Sequence, residues 1–391
     1  MSQAAHGFSF KGLILVVGIF LLPGRELTAQ PKYESYRVEK IPCTVHVVKV
    51  PRKDRKWELR SVHAFGKAVG LANVPAQLKL FSAPELAPVA GINGDFYERR
   101  GPFAGDARGL QIVDGELISG PTAGASFWID AADQPHVGET VSNLRVTWPD
   151  GSSAPIELNA SRENGDIVLY TPALGPTTHS VAGTELVLER DGSGVANSTN
   201  SAAASWLPLR PGRIYQARVR ETRKGASAIE ADTLVLSIGP KAKAPRLATG
   251  AQVKISTETQ PMLRGVGEAI SGGPILVKDG KRQSIKAVES DSYIFSSMQE
   301  QHPRSAIGWN DEFYFLVSVD GRQGRTSVGM TLDEFARELV KIGCQNALNL
   351  DGGGSATLWF EGRSRNYLCD GVERAVANSL AVVEKKSATG K

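Results

Sequence analysis

Residues 33 to 50 read as extended structure, with Val45, Val47, Val48 and Val50 set among polar neighbours. Val74, Leu78 and Phe81 then fall at helical spacing, with Pro75 in the first turn and Pro84 and Pro88 closing the segment. A short apolar strand at Val89 to Ile92 runs into Asn93-Gly94-Asp95. A hairpin follows from Gly109 to Ile118, because Asp114-Gly115 between two strand-like runs favours a tight reversal. From about 135 to 260, short β-like runs alternate with Gly, Pro, Ser and Asn turns, which predicts an all-β module inserted in the main domain. Within it, 191 to 204 is low in complexity and reads as a loop. Beyond it, Pro274 to Lys278 and the Asp279-Gly280 turn repeat the strand-turn signal, and Phe313 to Val319 is apolar enough to be central in a sheet.

The clearest helix is Thr331 to Ile342. Thr331 and Glu334 form a capping box, Leu332, Phe335, Ala336, Leu339 and Val340 make one apolar face, and Gly343 ends it. Ala347 to Leu350 is the next buried strand, and Asp351-Gly352-Gly353-Gly354 lies at its carboxyl end, where ligands commonly sit in open sheets. These elements predict an α+β fold: a mixed β-sheet core with flanking helices, plus the mainly-β module.

Composition alters this picture little. At 391 residues the chain suggests two lobes, and 41% hydrophobic with 22% charged residues is ordinary globular material. A net charge of +4, with no basic block interleaved with aromatics, excludes a nucleic-acid partner. Near the N-terminus, Lys11, the apolar run Leu13 to Leu22 and the small residue Ala29 predict a secretory signal over 1 to 29. That run is too short for a transmembrane span, so the processed protein is expected to be exported and free of the membrane. Cys43, Cys344 and Cys369 show no CxxC spacing and read as free thiols.

Four constellations set polar groups among small residues near apolar strands: Gly91 to Tyr97, Ser271-Gly272-Gly273-Pro274 shortly after Glu268, His302 to Gly308, and Asn349 to Thr357. Three glycines after a strand make no P-loop without Lys and Ser/Thr, and the six histidines show no zinc spacing. Ser355 lies in GGGSA, so no nucleophile elbow is present. The acidic candidates are Asp95, Glu268, Asp320 and Asp351, accompanied by Arg304. Carboxylates with an arginine suit hydrolysis at a sugar carbon bearing an anionic leaving group.

In this order the constellations resemble the phosphodiester glycosidase family, which includes bacterial exopolysaccharide-related members. The resemblance lies in Asn93 to Tyr97, Ser271 to Pro274, Pro303 to Gly308, Asp320 to Arg322, Gly329 to Glu334, Ala347 to Ser355 and Glu373 to Asn378, across residues 85 to 130 and 262 to 383. Ser305 and Ala356 replace usual threonines, Ala375 a proline, and Cys369 a serine. The resemblance implies a catalytic domain over 30–134 and 261–391 around the module at 135–260. It also implies an exported hydrolase that cleaves a sugar-1-phosphodiester, such as an α-N-acetylglucosamine-1-phosphodiester or a phosphoglycan, at the sugar C–O bond. On this reading Asp95 and Asp351 position water or stabilise the sugar cation, and Glu268 is a reserve acid/base. Arg304 with the N–H groups of Gly352, Gly353 and Gly354 grips phosphate, while Asn93 and Ser355 orient sugar hydroxyls beside Ser271, Gly272 and Gly273. No cofactor is required, a structural divalent cation such as calcium is compatible, and the oligomeric state stays open. Two alternatives stand: a non-catalytic polysaccharide-binding protein, and a metal-dependent phosphodiesterase with Asp95, Asp320 and Asp351 as ligands.

Overall fold

The computed structural model describes residue 1 and residues 29–53, 56–66, 68–81, 87–191, 206–285 and 297–385. The signal segment, Pro84 and most of the 191 to 204 loop lie outside the described residues. Four sheets account for the architecture. A seven-stranded antiparallel sheet runs in the order Lys32–Val38, Cys43–Pro51, Phe313–Val319, Arg304–Trp309, Asn346–Leu350, Ile275–Lys278 and Lys281–Arg282. A five-stranded sheet contains Trp57–His63, Ala90–Asn93, Leu358–Phe360, Arg363–Ser364 and Asn378–Glu384. A six-stranded sheet carries the predicted hairpin, now Gln111–Val113 and Glu116–Ser119, together with Glu268–Gly272.

The eight-stranded sheet is built from strands between Arg145 and Ser256. The strands at the expected module limits, Pro135–Ser142 and Thr259–Gln260, pair instead within the six-stranded sheet.

The α+β expectation is therefore corrected: the protein is mostly β, 43% strand against 9% helix, with several sheets and a near-barrel. The physical reason is visible in Phe313–Val319. Tyr314 and Leu316 enter a core shared with Leu59, Ile92, Phe127 and Leu380, which come from the other sheets. Phe315, Val317 and Val319 enter a second core with Leu332, Phe335 and Leu339 of the helix Leu332–Ile342. A strand apolar on both faces needs two covering layers, and here one of them is another sheet rather than a helix.

That helix forms as its sequence requires. Thr331 Oγ1 accepts from Glu334 N at 3.1 Å, Glu334 Oε2 accepts from Thr331 N at 2.8 Å, and Gly343 takes φ 103°. Val340, expected on the apolar face, is instead 37% exposed, whereas Glu338 is buried and accepts from Tyr36 Oη at 2.9 Å. Phe313–Val319 and Asn346–Leu350 each pair antiparallel with Arg304–Trp309 between them. The helix thus returns the chain across one intervening strand and leaves Asp351 just beyond the carboxyl end of Asn346–Leu350.

Candidate active site

The carboxyl end of Asn346–Leu350 opens on a cavity of about 360 Å³. Asp351, Gly352, Gly353 and Gly354 form one wall, and Phe96, Tyr97, His302 and Asn349 contribute others. Five arginines line it: Arg99, Arg108, Arg304, Arg322 and Arg374. A larger cavity, about 900 Å³, lies nearby but takes only Arg108 from this set. The smaller one is the chemical candidate, because three of the four sequence constellations contribute side chains to its walls.

Asp351 is partly exposed into this cavity. Burial raises its pKa, opposed by a hydrogen bond from Ser355, by Gly352 N at 2.9 Å and by the nearby Arg374 and Arg99 charges. Asp95 lies beneath, 3% exposed, accepting from Phe96 N at 2.7 Å and Gly109 N at 3.1 Å. Burial pushes its pKa up to about 8, and the Asp351 charge adds to the rise. The two carboxyl groups are electrostatically coupled, so ionisation of one opposes ionisation of the other.

The glycine turn has a definite steric cause. Gly353 sits at φ 59°, and a Cβ on Gly354 would lie 2.0 Å from the Arg374 guanidinium. It does not form the expected anion nest, however. Gly352 N donates to Asp351 Oδ1, and Gly353 N donates to Pro303 O at 2.9 Å. Two of the three N–H groups are already used.

Other assignments change in the same way. Asn93 is wholly buried: its Nδ2 donates to Asp351 O at 2.6 Å, and its Oδ1 accepts from Ser305 Oγ at 2.7 Å and Thr357 N at 3.0 Å. With its carboxamide saturated it positions the wall instead of binding sugar. Ser355 is also fully buried and sits behind the turn, within 3.4 Å of Arg374 Nη1. Ser271 Oγ contacts Ser126 Oγ at 3.0 Å, while Gly273 N donates to Asn349 O at 2.7 Å, and a Cβ on Gly272 would strike the same oxygen. Ser271, Gly272 and Gly273 therefore back the strand that carries Asp351.

Arg304 does line the cavity, but its guanidinium donates to the carbonyls of Met330, Ser297 and Glu300 at 2.7, 2.7 and 2.8 Å. Glu268 is not brought to the cavity. It accepts from Ser61 N at 2.7 Å and pairs with Arg60 at 3.2 Å, and burial raises its pKa to about 8. Asp320 also stands apart, 3.1 Å from His46 Nε2 and accepting from Tyr367 N at 2.7 Å. The three aspartates of the metal alternative do not converge, and among the described residues no group of three or more His, Cys, Asp or Glu could hold a metal ion.

Sequence reasoning gave no role to Arg99, Arg108, Arg322 and Arg374. Arg322 and Arg374 stood inside quoted motifs, but an arginine between a turn and a loop usually marks only a solvated face. The missing signal was conformational: Arg322 takes φ 59°, uncommon for a side-chain-bearing residue, and its guanidinium lies over Gly353. His302 completes this edge, with Nδ1 3.4 Å from Arg322 Nη2 and a pKa lowered by burial and by Arg304 and Arg322.

A sequence model of the phosphodiester glycosidase family matches residues 187–383, just over half of the chain. The chain belongs to that family. The match begins inside the eight-stranded sheet and ends at the last strand, so it omits Asn93 and Asp95. The SPbeta prophage-derived uncharacterized protein YomE of Bacillus subtilis is 35% identical over 120 residues, 30% of this chain and 18% of that protein. A hypothetical protein from Synechocystis shares the fold at TM-score 0.69 and 21% identity, over 91% of this chain and 62% of its own. A Burkholderia pseudomallei protein, named as a candidate for export, matches at TM-score 0.65 and 18% identity, over 87% of this chain and 74% of its own. Among the described residues no helix is long and apolar enough to cross a membrane.

Two outcomes follow from the geometry. Asn93→Ala leaves the Asp351 carbonyl, Ser305 hydroxyl and Thr357 N–H without this partner, and the loss expected in urea unfolding is on the order of 3 kcal/mol. A loss below the scatter of surface substitutions would remove Asn93 from this role. For Asp95 the folded pKa of about 8 exceeds the ordinary 3.8, so the native state binds the extra proton between those values. Its stabilising contribution is complete below about pH 4 and is lost as pH rises through about 8. Melting curves across that window should fall less steeply with pH for Asp95→Asn than for the wild type; parallel curves would contradict the assignment.

Proposed function

We propose that this protein hydrolyses a sugar-1-phosphodiester at the bond between the anomeric carbon and the phosphate oxygen. One observation carries the reading: the Asp351 carboxyl faces a small cavity lined by five arginines, with the buried Asp95 electrostatically coupled to it from behind. The bond breaks with its electron pair moving onto phosphate, water oxygen bonds to the anomeric carbon, and the water proton passes to a carboxylate. A phosphomonoester with second pKa about 6 leaves readily, so a strong general acid matters less than holding the developing anion. Arg99, Arg108 and Arg322 supply charged forks for it, while Arg304 and Arg374, engaged with backbone carbonyls and with Asp370 respectively, add their charge from the wall.

Asp351 is the carboxylate facing the reacting carbon. Its ionised form stabilises positive charge there or accepts the proton from water. Asp95, buried behind it with a pKa raised to about 8, holds its proton near neutral pH, which keeps a second negative charge away from the departing phosphate. Asn93 and the Ser271 to Pro274 segment hold Asp351 in place. The apolar N-terminal run, and the resemblance in fold to the Burkholderia protein, support an exported protein that meets its substrate outside the cytoplasm.

The test is turnover of a synthetic sugar-1-phosphodiester panel that includes the α-N-acetylglucosamine diester. Asp351→Asn should lower kcat by at least ~10²-fold, whereas Arg322→Ala and Arg374→Ala should cut kcat/KM by roughly the 10²-fold of a lost anion-stabilising donor. Near-normal kinetics in all three variants would overturn the site assignment.

A further inference from the structure

The eight-stranded sheet buries residues on both faces, and its strand Ile167–Tyr170 supplies both. Ile167 and Leu169 enter a core shared with Ile112 and Leu117 of the six-stranded sheet. Val168 and Tyr170 point the other way, into a small cluster with Leu174, Val187, Ile229 and Val235. The one hydrophobic side chain from outside this sheet that packs against the cluster is Phe103. Its ring stacks on Tyr170 with centroids 6.1 Å apart and lies T-shaped to His179 at 6.0 Å.

Phe103 stands at the tip of a loop whose two arms both reach the cavity around Asp351. The arms are tied to each other. Tyr97 bridges Ala107, Glu98 N donates to Asp106 O at 2.9 Å, Gly105 N donates to Glu98 O at 2.8 Å, and Arg108 N donates to Phe96 O at 2.9 Å. Gly105 takes φ 96°, and a Cβ there would collide with Gly70 O, so this arm lies directly on a neighbouring backbone. Arg99 leaves one arm and Arg108 the other, and both line the cavity. Both side chains are exposed, so where their charge falls depends on how firmly this backbone is held. The ring contacts of Phe103 hold it at the far end, and Tyr97 Oη, donating to Ala375 O at 2.9 Å, holds it at the near end.

We infer that Phe103 is a positioning residue: seated in the apolar socket of the eight-stranded sheet, it fixes the loop so that Arg99 and Arg108 converge on an anion in the cavity. Among the described residues none of the eight-stranded sheet lines that cavity, so this sheet acts on the site through one aromatic contact. The inference rests on the reading of the arginine-lined pocket as an anion site. It does not depend on which diester is the substrate.

The test is a double-mutant cycle, read by calorimetric titration with inorganic phosphate and by kcat/KM on the α-N-acetylglucosamine diester. Phe103→Ala should weaken phosphate binding and lower kcat/KM, each on the order of tenfold, as expected for charged groups moved out of place. Phe103→Tyr, which keeps the ring, should restore both. In an Arg99→Ala/Arg108→Ala background, Phe103→Ala should cost nothing further, because the groups it positions are gone. Phe103→Leu keeps apolar bulk without the ring contacts and carries the same cycle if the alanine variant does not melt cooperatively. Equal losses in both backgrounds, the mark of a merely structural role, would overturn the inference, as would wild-type phosphate affinity and kcat/KM in Phe103→Ala. Phosphate binding that follows the cycle without turnover of any diester would support the positioning role and contradict the proposed reaction. Diester turnover with equal losses in both backgrounds would do the reverse.

Discussion

The carboxamide of Asn93 is the join on which the site depends. It sits at the end of a strand in the five-stranded sheet, yet it bonds to the Asp351 carbonyl and to Ser305 of the seven-stranded sheet. The Asp351 N–H returns the connection by donating to Gly94 O at 2.9 Å. Two sheets that meet mainly through apolar side chains are thereby fixed in register at one polar point. A buried amide with every group satisfied gives positional definition that non-directional hydrophobic packing does not. Because Asp95 follows Asn93 by two residues, the same join sets the two carboxyl groups against each other.

From that constraint the electrostatics follow. Burial raises the pKa of both aspartates, and the Asp351 charge adds to the rise at Asp95. The arginines oppose this from the solvent side, where Arg374 and Arg99 lower the Asp351 pKa. Asp351 is the carboxyl that faces the cavity and these charges. The glycine turn makes room for this arrangement by accepting guanidinium groups over Gly353 and Gly354, where a β-carbon would collide with them. Its role is steric more than electrostatic.

Much of this was legible in the sequence, and the limits have physical causes. The Thr331 capping box, the Gly343 terminus, the Asp114-Gly115 reversal and the strand before Asp351 are local features, and each formed as its residues required. The layer architecture was not legible, because a strand apolar on both faces does not reveal whether a helix or a sheet covers it. Within the site, Asp95, Arg304 and Asp351 came together, while Glu268, drawn in by its nearness to Ser271 in sequence, is held by Arg60 and Ser61. Asn93 and Ser355 could not be told from ligand-facing groups, since saturation of a polar side chain depends on partners distant in sequence. The arginine lining escaped notice for the same reason: Arg99, Arg108, Arg322 and Arg374 become neighbours only when three sheets close around the turn.

All of this rests on cleavage at carbon rather than at phosphorus. In the proposed reaction, Asp351 and the arginines stabilise a cationic sugar and an anionic phosphate as they separate, which puts the attacking water on the sugar. Single-turnover hydrolysis of a sugar-1-phosphodiester in water enriched in heavy oxygen reads this directly by mass spectrometry. The account predicts label in the released sugar and none in the phosphomonoester; label in the phosphomonoester would contradict it.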